Sequence, residues 1–289
     1  MGAFPPLSAW VVGGQRVALD GHSIFVRVDG PSDGRVVTLS HGYPTSSHDW
    51  AAIVPPLVDA GYRVLSFDLL GFGASDKPHP HRYRVVDQAD VVEGLWARFG
   101  IETTALVAHD YSVSVAQELL SRDPRRITSM TWLNGGVYPD LHRPIRIQRA
   151  MHSRLGPILA RLSSERTFRP AIRSILGRPV SDDVLHDMWV ALTTGNGRRV
   201  QPELLKYIDD RRANADRWVA AMEAYAGPTL FIWGPADPIS GAHVLARLRE
   251  RLPNARFAVL DAPPAVGHYP QVETPDLVAA ELLAHLTAY

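Results

Sequence analysis

The sequence predicts an α/β fold in which a mostly parallel, doubly wound sheet carries an inserted helical lid. Three observations indicate this fold. Short, nearly continuous apolar runs recur along the chain, each bounded by Gly, Asp, Asn or Pro. Segments with apolar residues at helical spacing separate these runs. One long stretch, residues 138–217, shows helical segments and no convincing strand pattern.

Six apolar runs predict the strands of the sheet. Strands that are buried on both faces lose polar–apolar alternation, so such runs indicate a parallel sheet covered by helices. Residues 15–28 do alternate, around Asp20-Gly21, and predict a hairpin because Asp-Gly suits the primed turns. The six runs are residues 36–40, 63–67, 104–108, 130–133, 229–233 and 256–260.

The helical patterns define a core and a lid. Residues 85–99, 113–121 and 275–286 predict core helices, the last with Thr274 as N-cap and Pro275 at its first position. The helical insertion predicts a division into a core, residues 1–137 and 218–289, and a helical cap, residues 138–217. The basic excess of the cap is interpreted as a solvated helix surface.

Composition narrows the class of protein. Thirty basic and 30 acidic residues give zero formal net charge, which provides no bulk attraction for nucleic acid or an anionic membrane. The absence of Cys excludes disulfides and thiolate chemistry. No segment approaches the roughly 20 apolar residues of a membrane span, and the N-terminus lacks a signal-peptide pattern. We therefore expect a cytoplasmic monomer or small homo-oligomer that acts on a small molecule.

No metal or organic cofactor is expected. His79-Pro80-His81 is the only clustered histidine motif, and no further ligands at zinc-like spacing accompany it. The sequence also lacks a phosphate-binding loop and a dinucleotide fingerprint.

The strongest chemical motif lies at residues 106–114, where a strand enters a helix through one sharp turn. Ala108 and Ser112 stand two positions either side of Asp110, as in the small-x-nucleophile-x-small pattern of a crowded nucleophile elbow. Asp110 therefore occupies the nucleophile position. Two alternatives stay open: a serine nucleophile at Ser112 or Ser114, and an Asp110 that only caps the following helix.

Two further residues complete a nucleophile–acid–histidine order. Asp237 lies just beyond the run 229–233, and His268 lies between the run 256–260 and the last helix. This is the chain order expected after a nucleophile elbow of this kind. A lone Asp after a strand is usually a cap and a lone His is usually structural, so the inference depends on the joint match.

The loop after the run 36–40, His41-Gly42-Tyr43-Pro44, predicts an oxyanion hole. In such a fold this loop supplies one backbone N–H donor and the residue after the nucleophile supplies the other. The predicted donors are the main-chain N–H groups of Tyr43 and Tyr111.

These motifs resemble the haloalkane dehalogenase and epoxide hydrolase branch of the α/β-hydrolase family. The resemblance runs from about residue 36 to the C-terminus. Within that branch, residues 134–144, 207–218 and 234–238 resemble the mesoderm-specific transcript group. The motifs that carry the wider resemblance are residues 41–47, the loop 68–75, His109-Asp110-Tyr111 and Gly267-His268-Tyr269.

The resemblance implies chemistry at a carboxylate and contacts to the leaving group. Epoxide hydrolases use two lid tyrosines to protonate the opening oxygen; Tyr207 resembles one of these and Tyr138 is a candidate for the second. His41 is a further candidate substrate contact. Dehalogenases carry Asn after His-Gly and Trp after the nucleophile, where this sequence has Tyr43 and Tyr111. These departures favour epoxide opening over haloalkane cleavage.

The expected mechanism begins with attack of Asp110 on an sp³ carbon, which gives an alkyl-enzyme ester. Asp237 orients His268, and His268 activates the water that hydrolyses the ester. A carboxylate suits cleavage of carboxylic esters badly, because acylating it would make an anhydride. Haloalkane dehalogenation remains an alternative. So does a catalytically weak ligand-binding protein, because Val113-Ser114 replaces the Gly expected soon after the nucleophile.

Overall fold

The computed structural model describes residues 4–288 and is built around an eight-stranded sheet. The strands are β1 (Gln15–Leu19), β2 (His22–Asp29), β3 (Val36–Ser40), β4 (Arg63–Phe67), β5 (Thr104–His109), β6 (Ile127–Leu133), β7 (Thr229–Trp233) and β8 (Arg256–Val259). They lie in the order β1-β2-β4-β3-β5-β6-β7-β8. Strand β2 is antiparallel to β1 and β4, and the pairs from β4 to β8 are parallel. The predicted fold class is confirmed.

Helices cover both faces of the sheet. They are α1 (Leu7–Val12), α2 (Val54–Asp59), α3 (Val85–Arg98), α4 (Tyr111–Arg122), α5 (Arg146–His152), α6 (Gly156–Leu162), α7 (Glu165–Arg173), α8 (Asp182–Thr193), α9 (Gly197–Leu204), α10 (Tyr207–Ala213), α11 (Ala215–Ala224), α12 (Ala242–Arg251), α13 (Pro270–Glu273) and α14 (Pro275–Leu286). In β5, Leu106 and Ala108 pack into one hydrophobic core, and Ala105 and Val107 pack into another. Burial on both faces explains the continuous apolar runs of the sequence.

The predicted hairpin joins β1 and β2. Leu19 pairs with His22, and the two residues between them, Asp20 and Gly21, have φ angles of 47° and 80°. Two positive φ angles in succession are those of a type I′ turn, which matches the twist of the flanking strands.

Residues 134–228, between β6 and β7, form helices α5 to α11 and no strand. Cap residues Ile172 and Leu185 share a hydrophobic cluster with Ile239 and Tyr269 of the core, so apolar contacts join the two parts. The boundaries of the cap at residues 138 and 217 stay a prediction.

Two local features differ from the sequence prediction. Thr274 precedes α14, but its side chain makes no capping hydrogen bond and accepts instead from the Arg178 guanidinium. Helix α1 was not expected. It is held by Trp10, whose indole N–H donates to Ser47 Oγ. The guanidinium carbon of Arg27 lies over this indole, 4.2 Å from the ring centroid.

Among residues 4–288, no helix has both the length and the apolarity that crossing a membrane requires.

Candidate active site

Asp110 lies in a strained turn between β5 and α4. Its φ of 46° and ψ of −102° fall in the region of positive φ that side chains rarely adopt. Two neighbouring loops have a glycine where they approach this turn. A Cβ atom added to Gly42 would lie 2.9 Å from Asp110 Cβ, and one added to Gly135 would lie 3.0 Å from Asp110 Cα. Both distances are shorter than an ordinary van der Waals contact, so a larger residue would crowd the turn. Strain of this kind marks functional positions.

The Asp110 carboxylate contacts two predicted partners. The Tyr43 N–H donates to Oδ2 over 3.0 Å, and Nε2 of His268 lies 3.7 Å from Oδ1. Tyr111 follows directly as the first residue of α4, where N–H groups have no helical partner. The role of the Tyr111 main-chain N–H as the second donor of the oxyanion hole stays a prediction.

His268 is oriented by Asp237. Its Nδ1 lies 2.8 Å from Asp237 Oδ2, and both side chains are buried. The N–H of Ile239 and the hydroxyl of Ser240 also donate to this carboxylate, at 2.7 and 2.6 Å. Asn134 Nδ2 adds a bond of 3.1 Å to Oδ2. These donors fix the carboxylate, and the carboxylate in turn fixes the imidazole.

The charges of the three groups support one another. Burial opposes charge on Asp110, but interaction with His268 outweighs it and holds the pKa of this carboxyl well below its usual range. Burial also opposes the imidazolium, but Asp237 and Asp110 outweigh it and raise the pKa of His268 to about 10. The pKa of Asp237 is lowered by His268 in spite of burial. Each of these shifts favours the charged form of its group, so the two carboxylates and the imidazolium stabilise one another.

Tyr207 lies among aromatic rings beside this group. It opens α10, and its ring centroid lies 6.3 Å from that of Tyr43 and 4.9 Å from that of Tyr111. Its hydroxyl is buried and has no hydrogen-bond partner of good geometry within residues 4–288. Burial, followed by the charge of Asp110, raises the pKa of Tyr207. Tyr207 is thus a buried phenol that packs on the residue after the candidate nucleophile and on the residue that donates to it.

Two predicted substrate contacts are not brought to the site. The Tyr138 hydroxyl donates to Glu223 over 3.0 Å, on the side of α11, and its ring lies under Arg247. His41 is fully buried; its Nδ1 contacts the Gly42 carbonyl, and its Nε2 accepts from the Leu69 N–H. We therefore assign neither residue a contact with substrate.

The serine alternatives do not fit the geometry. Ser112 is fully buried; its hydroxyl donates to the His41 carbonyl and accepts from Ser40 Oγ at 2.7 Å. Ser114 Oγ accepts from Arg211 Nε at 2.8 Å. Both hydroxyls lie behind the turn and bond away from His268, so they have no general base.

Sequence reasoning missed Arg211, which lies directly behind Asp110. Its side chain is 1% exposed, and besides Ser114 it donates to the main-chain carbonyl of Asp110 over 3.4 Å. The guanidinium carbon lies 4.7 Å from the ring centroid of Tyr207. Arg211 stands in the charged run Asp209-Asp210-Arg211-Arg212, and no sequence pattern indicates that one member of this run faces inward.

Asn134 was also missed as a site residue, although it carried a usable signal. It is a polar residue directly after the buried strand β6. Its amide binds both main-chain groups of Gly234, with Nδ2 to O at 2.8 Å and N to Oδ1 at 2.6 Å. It therefore ties the end of β6 to the loop that carries Asp237.

Glu273 was a third omission, and it supports the loop that carries His268. Its carboxylate accepts main-chain N–H bonds from Gly267 and Tyr269 in that loop, at 2.9 and 3.0 Å. It also accepts from Gly177 and Arg178 in the cap, at 2.7 and 2.8 Å. One carboxylate therefore joins the cap to the histidine loop.

An apolar cavity of about 280 Å³ meets the candidate nucleophile and base, since Tyr43 and His268 belong to its wall. Ile147 and Leu162 line it as well, and both are solvent-exposed, so the cavity opens at the cap surface. Other wall residues are Ile145, Met151, Phe168, Ile172 and Trp189. Such a wall suits an apolar small molecule. Residues 4–288 contain no cluster of three or more His, Asp or Glu side chains placed to hold a metal ion.

Comparison with known proteins identifies related sequences. Residues 35–275 match the family model described as alpha/beta hydrolase fold. The chain is 37% identical to the mesoderm-specific transcript homolog protein of Bos taurus, over 94% of this chain and 85% of that protein. It is 30% identical to haloalkane dehalogenase of Mycobacterium marinum, over 74% of this chain and 72% of that protein. The resemblance inferred from the motifs is confirmed.

A solved structure shows the same architecture. The DbeA-M1 loop variant of haloalkane dehalogenase from Bradyrhizobium elkanii has a TM-score of 0.78 and 22% sequence identity. The match covers 95% of this chain and 96% of that chain. At this identity the likeness concerns the fold.

Proposed function

The chain belongs to the α/β-hydrolase family, and from that premise we propose that it opens epoxides to diols through an ester formed on Asp110. The observation that carries the proposal is the buried Tyr207 hydroxyl, which has no hydrogen-bond partner of good geometry among residues 4–288 and whose pKa is raised by burial and by the charge of Asp110. An alkoxide is a poor leaving group and needs a proton donor, and a neutral phenol can supply one.

In the first step, an Asp110 oxygen attacks one epoxide carbon and the ring C–O bond breaks. The ring oxygen takes the Tyr207 proton, which leaves a hydroxyalkyl ester and a tyrosinate. Because the ester is neutral, His268 loses one of the two carboxylates that raise its pKa. It then gives its proton, through solvent, to the tyrosinate and becomes a neutral base.

In the second step, His268 takes a proton from water and hydroxide attacks the ester carbonyl carbon. The Tyr43 N–H, already bonded to Asp110 Oδ2, stabilises the oxyanion that forms there. The C–O bond to the diol then breaks, and the hydroxyl proton of the intermediate passes to the departing oxygen. Asp110 is again a carboxylate, and His268 is protonated as at the start.

Haloalkane hydrolysis is the second candidate, favoured by the relative named haloalkane dehalogenase. It would use the same ester and the same water step. Halide departs without a proton but needs donors in a dry pocket. The hydroxyls of Tyr43 and Tyr111 would have to provide them, since no side-chain N–H stands at either position.

The decisive test is the intact mass of the His268→Gln variant after incubation with a mixture of epoxides and haloalkanes. Without its base the ester accumulates. We expect a mass gain equal to a whole epoxide, mapped to Asp110 and absent from Asp110→Asn/His268→Gln. A gain equal to an alkyl group without halogen would replace epoxide opening by dehalogenation. No adduct from either class would contradict the proposed nucleophile.

A separate experiment tests the role of Tyr207 as the proton donor. Tyr207→Phe should slow adduct formation from epoxides by roughly 10²-fold, the usual contribution of a positioned general acid. Tyr138→Phe is the matched control and should leave that rate unchanged, because its hydroxyl bonds to Glu223 instead. Equal effects of the two substitutions would refute the assignment of Tyr207.

A further inference from the structure

One segment of the cap combines positive charge with exposed apolar side chains. Residues 143–164, which we call the basic cap face, contain five arginines and no Asp or Glu. Within residues 4–288, none of these arginines forms an ion pair with a carboxylate. They are Arg143, Arg146, Arg149, Arg154 and Arg161. The chain as a whole has zero formal charge, so this charge is concentrated locally.

The exposed apolar side chains are concentrated in the same segment. Of the seven large hydrophobic side chains exposed among the described residues, four lie on the basic cap face. They are Ile147, Leu155, Ile158 and Leu162, with exposed fractions of 46%, 61%, 56% and 74%. A cluster of exposed apolar side chains indicates a surface that contacts a protein or a membrane.

This face is also the entrance of the cavity. Ile147 and Leu162 line the cavity and are exposed. Leu155 directly precedes α6, Ile158 lies within this helix, and Leu162 ends it. An apolar molecule entering from water would pass between side chains that are themselves poorly hydrated. The same molecule entering from a lipid layer would pass from one apolar medium to another.

We propose that the basic cap face docks on a lipid bilayer with anionic headgroups, so that lipophilic substrate enters the cavity from the membrane. Arginines at the headgroups and Leu or Ile side chains at the acyl boundary are the two components of interfacial binding. The charge pattern matches this occupant, since anionic headgroups supply net negative charge to the five arginines and a zwitterionic surface does not. The docking inference does not depend on which reaction Asp110 performs.

The sequence alone favoured a solvated surface for this basic excess. The structure changes that interpretation because it turns four apolar side chains outward among the arginines. Periodicity did not predict this, since the same residues could have faced the core.

The experiment is co-sedimentation of the full chain with vesicles of phosphatidylcholine, with and without phosphatidylglycerol. We expect binding only to the anionic vesicles. Arg154→Gln/Arg161→Gln should weaken binding by about 25-fold, since each arginine near such a surface changes affinity by about fivefold. Leu155→Ser/Ile158→Ser should weaken it by roughly tenfold or more.

A matched control distinguishes binding by the basic cap face from a general effect of positive charge on the protein. Arg35→Gln/Arg98→Gln removes the same charge from exposed residues just before β3 and at the end of α3, away from the cap. We expect vesicle binding close to that of the unmodified chain. All variants should keep their unfolding temperature and their turnover of a short, water-soluble substrate.

Four results would overturn the proposal. The first is absence of binding to anionic vesicles. The second is an equal loss in the Arg35→Gln/Arg98→Gln control. The third is an unchanged affinity in Leu155→Ser/Ile158→Ser, which would indicate charge recognition alone, as for an acidic soluble protein. A shift of that variant's oligomeric state without lipid would assign the face to a second copy of the chain and would likewise refute membrane docking.

Discussion

Arg211 places a buried positive charge behind Asp110, the proposed nucleophile, and forms no ion pair with a carboxylate among residues 4–288. Arg211→Met keeps the volume and removes a buried charge, which relieves a cost of burial, but it also leaves Ser114 Oγ and the Asp110 carbonyl without a donor. Because these effects oppose each other, we expect the free energy of unfolding to change little, while the rate of ester formation on Asp110 falls roughly tenfold because the turn is less firmly positioned. Urea unfolding and rapid-quench mass spectrometry measure the two effects.

Arg211→Lys separates charge from geometry. Lysine keeps the charge that helps to lower the pKa of Asp110 but lacks the planar fork that bonds Ser114 and the Asp110 carbonyl. The pH profile of ester formation should match that of the unmodified chain, while the rate stays reduced. Full recovery of the rate would show that charge alone matters.

Ester formation should depend on pH through the partnership of Asp110 and His268. His268 holds the pKa of Asp110 below its usual range, so we expect this carboxylate to stay ionised as the medium becomes acidic. In His268→Gln that attraction is gone and burial raises the pKa of Asp110. Single-turnover consumption of substrate should therefore decline at a higher pH in the variant than in the unmodified chain. Superimposable profiles, with both proteins shown folded by circular dichroism, would contradict this coupling.

The sequence could predict the positions of some site residues and not of others. Asp110, Asp237 and His268 each follow a strand, and parallel strands end at one edge of a sheet, so their meeting was predictable. Tyr138, His41 and Arg211 were not predictable, because the direction of a loop or cap side chain is set by tertiary contacts.

Among the structural elements, the loop that carries His268 depends on Glu273. Glu273→Gln replaces an oxygen that accepts N–H bonds by an NH₂ group that cannot. We expect unfolding to cost about 2–3 kcal/mol less, the usual effect of leaving buried donors unpaired, and turnover to fall because His268 is less well oriented. Chemical denaturation and steady-state rates measure these effects.

Glu281→Gln is the matched control for that change. Glu281 pairs with Arg256 at the surface, where such a pair contributes roughly 0–1 kcal/mol. A loss of stability as large as that of Glu273→Gln would show that general charge removal, and not the buried N–H bonds, is responsible.

Most core elements were predictable because buried parallel strands have a distinctive composition. β6 begins at Ile127, three residues earlier than its apolar run, because exposed Thr128 masks the start of the strand. The cap helices were harder to place: α7 and α9 contain Pro170 and Pro202 within them, which obscures helical periodicity.

At the scale of the whole molecule, we expect the cavity to limit which substrates the proposed site accepts. Ala171 lines it from a partly exposed position, so a larger side chain there narrows the cavity with little disturbance of the core. Ala171→Trp should lower kcat/KM for a long-chain substrate by roughly tenfold, with short substrates little affected. Ala171→Ser is the control for the position. Equal losses for long and short substrates would indicate general misfolding of the cap.

The placement of the cap between β6 and β7 has an evolutionary consequence. Helices α5 to α11 form one continuous segment of the chain, whereas Asp110, Asp237 and His268 lie outside it. Exchange of that segment between related genes, by a crossover on each side of it, can therefore replace the cavity entrance and leave those three side chains unchanged. The same exchange also transfers Tyr207 and Arg211 of α10, so a hybrid gene inherits its candidate proton donor together with its entrance.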